Sequence, residues 1–88
     1  MGNQTIFRKQ HYFSGGIFGY KVWVTVDRID RLNKHTIIEQ FRGEAIGIKK
    51  KRYEPTEITI FVYEGRQPVH PADNWIADLV FEYDYNDD

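Results

Sequence analysis

Tyr20, Val22, Val24 and Val26 alternate with Lys21, Trp23, Thr25 and Asp27. A period of two separates apolar from mixed residues in this way only if the stretch is a β-strand with two unlike faces. The valine side belongs in a core. The pattern recurs at residues 57–63, where Ile58, Ile60 and Val62 oppose Thr59, Phe61 and Tyr63. At 75–85 it recurs again, with Trp75, Ala77, Leu79, Phe81, Tyr83 and Tyr85 opposite Asp78, Glu82 and Asp84. A further strand at 5–13 sets Phe7 and Phe13 against Ile6 and Tyr12.

These runs predict an all-β domain of about five antiparallel strands, in a strongly bent meander sheet or partly open barrel. The alternative is an α+β form with a short helix near 73–81, because Trp75, Ile76, Leu79, Val80 and Tyr83 also recur at helical spacing. With 88 residues, a single domain is expected over 1–88, its acidic end fraying at 86–88.

The connections carry the rest of the expectation. Residues 14–19, SGGIFG, place three glycines in six positions, which suits a turn with positive φ between antiparallel neighbours. Residues 20–48 then read as one long hairpin with Leu32, Asn33, Lys34 and His35 at its tip. The β-branched run Thr36, Ile37, Ile38 favours a returning strand over a helix at 27–41. Parity breaks near Asp27, and again between Phe41 and Ile46, where a bulge at Gly43 restores a common face. A straight strand over 20–30 would run about 36 Å in a domain about 30 Å across. The hairpin is therefore expected to bend, with an inner half held by Val22, Val24, Ile46 and Ile48 and an outer half free to reach a partner.

Several chemistries find no support. Cysteine is absent, so no disulfide and no zinc-binding or nucleophilic thiolate is available, which fits a reducing compartment. His11, His35 and His70 lack metal-ligand spacing, and no metal or cofactor is expected. Ser14, the single serine, stands in Phe-Ser-Gly-Gly rather than a nucleophile elbow. The opening residues lack an apolar leader and no apolar run reaches a membrane span, so a cytoplasmic, non-enzymatic protein is expected. A weak nuclease using His70 and a lysine is the remotest alternative.

The net charge of −1 conceals a division. Residues 1–52 hold eleven Lys or Arg against four Asp or Glu, whereas 53–88 hold one against nine. If basic and acidic strands pair across one sheet, they partly neutralise each other. If they do not, two surfaces follow. The acidic, tyrosine-bearing end, Glu82, Tyr83, Asp84, Tyr85 and Asp87, suits a basic protein partner; its plainer role is an edge strand whose charges prevent aggregation. The basic-aromatic set, Lys21, Trp23, Lys49, Lys50, Lys51, Arg52 and Tyr53, suits single-stranded RNA or DNA. In a two-sided sandwich or strongly coiled sheet Trp23 is instead a second core residue. The leading expectation is a binding protein that occludes or scaffolds another protein, in the manner of a phage-type inhibitor of a host nucleic-acid-handling machine. Single-stranded nucleic-acid binding is the alternative.

Overall fold

A computed structural model describes residues 4–48, 51–68 and 76–87. Its centre is the valine strand β2 (Ile17–Val26), paired antiparallel with β1 (Thr5–Ser14) and parallel with β5 (Glu57–Glu64), which in turn pairs antiparallel with β6 (Leu79–Asp84). The sheet is therefore open, four-stranded and mixed, in the order β1-β2-β5-β6. Two short strands, β3 (Ile46–Ile48) and β4 (Lys51–Tyr53), form a separate antiparallel ribbon.

The mostly-β expectation holds, but the meander and the barrel do not. A parallel β2–β5 pair cannot be closed by a hairpin and needs a crossover of a dozen or more residues, usually helical. Here the crossover carries a 3-10 turn at Ile29–Arg31 and the helix α1 (Lys34–Phe41). The expected hairpin over 20–48 is thus a strand followed by a crossover, and Ile46–Ile48 pairs with β4 rather than with β2. Of the helix considered near 73–81, residues 79–81 are strand and 73–75 lie outside the described residues.

Leu32, Asn33, Lys34 and His35 are accordingly not a hairpin tip. They lead into and begin α1. Asn33 is the N-cap: its Oδ1 accepts from the Thr36 N–H at 3.1 Å, while Gln4 holds the Asn33 backbone from both sides, accepting from its N–H at 2.9 Å and donating to its C=O at 3.2 Å. Replacing Asn33 by alanine is expected to cost about 1 kcal/mol, and by aspartate far less. Paired thermal melts of the two variants check this. The β-branched run lost because its helix penalty is only a few tenths of a kcal/mol per residue, whereas the helical turn buries Ile37, Ile38 and Phe41 together. Gly43, at φ 77°, stands just past the helix end and is its stop signal, not a bulge.

A bulge does occur, in β1. Register shifts between Ile6 and Arg8, so that Phe7 and Arg8 both oppose Trp23. Ile6 and Phe13 consequently lie on the valine side, whereas Phe7 and Tyr12 lie on the other, which revises the predicted pairing of faces.

The core is one-sided. Val22, Val24, Ile58, Ile60 and Val62 are fully inaccessible, and α1 closes over them with Ile37 and Phe41, each 1 % exposed. Phe81, Leu79 and Tyr83 pack around this cluster from β6. The end of the chain secures the helix: after β6 a 3-10 turn (Tyr85–Asp87) places the Tyr85 hydroxyl to donate to the Ile38 carbonyl at 2.9 Å. That carbonyl belongs to the last helical turn, where intrahelical donors run out.

The Tyr85 phenol is pushed up to about 12, chiefly by burial, with Arg42 opposing the rise and Glu39 and Glu44 adding to it. The folded state thus holds the phenolic proton more tightly than the unfolded chain does. The stability this contributes is complete below pH about 10, where unfolded tyrosine titrates, and is lost as pH rises towards about 12. Tyr85→Phe is expected to lower stability near neutrality by about 1 kcal/mol and to flatten the alkaline loss, as measured by urea unfolding across that range.

Candidate functional site

With α1 on the valine side, the other face of the sheet carries the odd-numbered residues of β2 and β5 and the even-numbered residues of β6. Among the described residues no helix or strand layer covers it. Strand register arranges it in rows that cross the whole sheet. One row runs Arg8, Trp23, Phe61, Val80. The Trp23 and Phe61 rings stack with centroids 5.1 Å apart and planes 16° from parallel, and the Arg8 guanidinium lies 4.6 Å from the centroid of the indole. Trp23 and Phe61 are half-buried, while Arg8 is exposed and Val80 is 47 % exposed. Phe7, moved to this face by the bulge, meets Tyr63 edge-on at 5.7 Å, and Tyr63 is buried.

The next row runs Gln10, Lys21, Thr59, Glu82, and the one beyond it Tyr12, Gly19, Glu57, Asp84. Gly19 leaves the room that the end of the Tyr12 side chain occupies. A Cβ on Gly19 would fall 2.5 Å from the Tyr12 Oη and 2.9 Å from the Glu57 Cγ. Across that gap the Tyr12 hydroxyl donates to Glu57, and burial followed by the Glu57 hydrogen bond and charge raises the Tyr12 phenol well above its ordinary range. Glu57, Glu82 and Asp84 line a cleft of about 230 Å³ with Thr59, Ile58 and Tyr83. Among the described residues no group of three or more His, Asp or Glu is placed to hold a metal ion.

Charge therefore grades across this face. Arg8 and Lys21 stand on the β1–β2 side and Glu57, Glu82 and Asp84 on the β5–β6 side. The ion pairs among described residues, Lys9–Glu44, Arg28–Asp30 and Arg42–Glu39, do not connect the two sides. Strand order is the reason: the basic N-terminal and acidic C-terminal strands occupy opposite edges. Those two edge strands are not neighbours, whereas β2 of the basic half pairs with β5 of the acidic half.

The structure divides both sequence-derived surfaces. Of the acidic set, Glu82 and Asp84 point to the open face. Tyr83 and Tyr85 turn to the helix side, where Arg42 donates to the Tyr83 hydroxyl at 3.4 Å and stacks 5.2 Å from Tyr85; Asp87 ends the 3-10 turn. Of the basic-aromatic set, Lys21 and Trp23 share the open face, but Tyr53 stacks on Phe18 at 4.3 Å on the valine side. Lys51 and Arg52 belong to β4, and Lys49 and Lys50 lie outside the described residues, as does His70. His11 contacts Tyr20 edge-on, His35 is in the first turn of α1 and Ser14 ends β1.

Arg8, Tyr12, Glu57, Phe61 and Val80 were missed as site residues. The alternation Thr59, Phe61, Tyr63 held the signal for Phe61, and the parity of Glu82 held that for Val80. Arg8 left no such signal, because its face depends on a bulge that no glycine marks. Compared with protein-family models, curated proteins and solved structures, the chain matches none.

Proposed function

We propose that this chain acts by binding protein rather than by catalysis, and that the open sheet face is its binding surface. The observation that carries this is the row Arg8, Trp23, Phe61, Val80 at the centre of that face, with carboxylates and Lys21 beside it. Protein interfaces concentrate their energy in central Trp, Tyr and Arg side chains surrounded by a polar rim, and the face has that composition. Single-stranded nucleic acid fits it less well. A base needs a free ring face to stack on, and both faces of the Trp23 indole are engaged, one by Arg8 and one by Phe61. The carboxylates of Glu57, Glu82 and Asp84 on the same face would also repel phosphates.

Trp23→Ala tests this. The variant is expected to keep a cooperative melt, losing about 1–2 kcal/mol, while affinity for bound protein falls at least about 30-fold, the effect of a central hot spot. Quantitative capture by immobilised wild type and variant, from a cell extract and from a solution of the chain itself, measures it. Equal capture by the two would remove the open face as the binding surface.

A further inference from the structure

We infer that the occupant of the open face is a second copy of this chain, docked face to face about a two-fold axis parallel to the strands and lying between β2 and β5. This rests on the open face being the binding surface and names its partner. The charge gradient is what selects a second copy. Turning a copy over about that axis lays its β6 on β1 and its β5 on β2, because the strand order is β1-β2-β5-β6. Trp23 of each copy then meets Phe61 of the other, so the two aromatic rows form one apolar centre. Gln10 meets Glu82 of the second copy, with Arg8 one row away along the strand and Lys21 one strand away. Tyr12 meets Asp84 and Gly19 meets Glu57, so the half that carries Arg8 and Lys21 covers the half that carries the carboxylates at both ends.

The other face-to-face two-fold, with its axis across the strands, lays β1 on β1 and β6 on β6. It would set the strand that carries Arg8 and the strand that carries Lys21 each against its own copy and gather six carboxylates, three from each chain, at the other flank. Like charges in a partly dehydrated seam are strongly unfavourable, so the surface specifies one orientation and opposes its competitor. The arrangement is isologous and closed, and it stops at two chains.

Size sets the strength. Four strands at about 4.8 Å spacing and seven residues at about 3.3 Å rise give a face of roughly 20 by 20 Å per copy. Both copies together would bury on the order of 1,000 Å², the lower bound of a specific interface. The dimer is therefore a reversible one, dissociating in the micromolar range.

Sedimentation equilibrium of the full chain between about 1 and 300 μM tests the inference, with Lys21→Glu, Glu82→Lys and the double exchange alongside wild type. Both side chains are exposed, so folding is retained, and a thermal melt of each variant verifies it. Wild type is expected to move from 10.5 kDa towards twice that mass. Each single reversal should weaken association at least about tenfold, and the double exchange should restore it to within about threefold. A partner with fixed charges of its own could not be rescued by an exchange made in this chain. A wild type that stays monomeric throughout, species larger than a dimer, singles without effect, or a double exchange that fails to restore dimers would each overturn the inference. If wild type is monomeric yet Trp23→Ala abolishes capture of another protein, the open face remains the binding surface and only its occupant is wrong. If dimers form but ignore Trp23→Ala as well as the exchange, both ideas fall.

Discussion

Phe41→Ala is expected to lower stability by about 3–5 kcal/mol and the melting temperature by about 15–30 °C. Phe41 is 1 % exposed, packs its ring 5.0 Å from that of Tyr20 and receives the Lys9 ammonium 5.7 Å from its centroid. It is also the last residue of an eight-residue helix. Helices that short do not persist in water without tertiary packing, and α1 is fastened by three buried side chains, Ile37, Ile38 and Phe41. Removing the largest of them leaves a cavity against Tyr20 and frees the end of the helix. A small domain has about 4–13 kcal/mol of stability in total, so this one truncation consumes much of it. Urea unfolding followed by circular dichroism measures the loss, and a drop below about 1 kcal/mol would mean that α1 is not the lid of the core.

Neighbouring residues on β5 should give opposite outcomes. Ile60 is fully inaccessible, between Val22 on one side and Phe81 on the other. An aspartate there would bury a carboxylate with no partner, at a cost that exceeds the stability of a domain this size. Ile60→Asp is expected to show no cooperative melt at neutral pH. Phe61→Asp, one residue on, changes the open face instead; it forfeits the stack with Trp23, about 1–2 kcal/mol, and remains folded. Thermal melts of the two variants under one condition decide the matter. Both folded, or both unfolded, would mean that the two faces of the sheet are not as unlike as the core indicates.

How much of this was legible depends on which interactions decide each element. Residues 20–26 and 57–63 were legible because their alternation is itself the outcome of burying one face, and Val22, Val24, Ile58, Ile60 and Val62 form the core that alternation implies. Segment 34–41 was misread because Thr36, Ile37 and Ile38 state a local strand preference that the packing of Ile37, Ile38 and Phe41 overrides. Asn33 before the segment and Gly43 after it are ordinary helix start and stop signals, and weighing them together would have corrected the hairpin. The parallel β2–β5 pairing was beyond local reasoning, since each strand is equally apolar beside either kind of neighbour. From that pairing follows the candidate site: once β5 lies beside β2, Phe61 stacks on Trp23 and the acidic strand is carried to the edge opposite the basic one.

Side-chain footprinting by hydroxyl radicals tests the central claim most directly, because it reads each face of the sheet separately. In the dilute chain Trp23 and Val80 should oxidise while Val22, Val24 and Phe41 stay protected, and on association with protein Trp23 and Val80 should become protected with no change on the valine side. Trp23 and Val80 already protected in the dilute chain, or equally reactive before and after association, would contradict an open face that works by being covered.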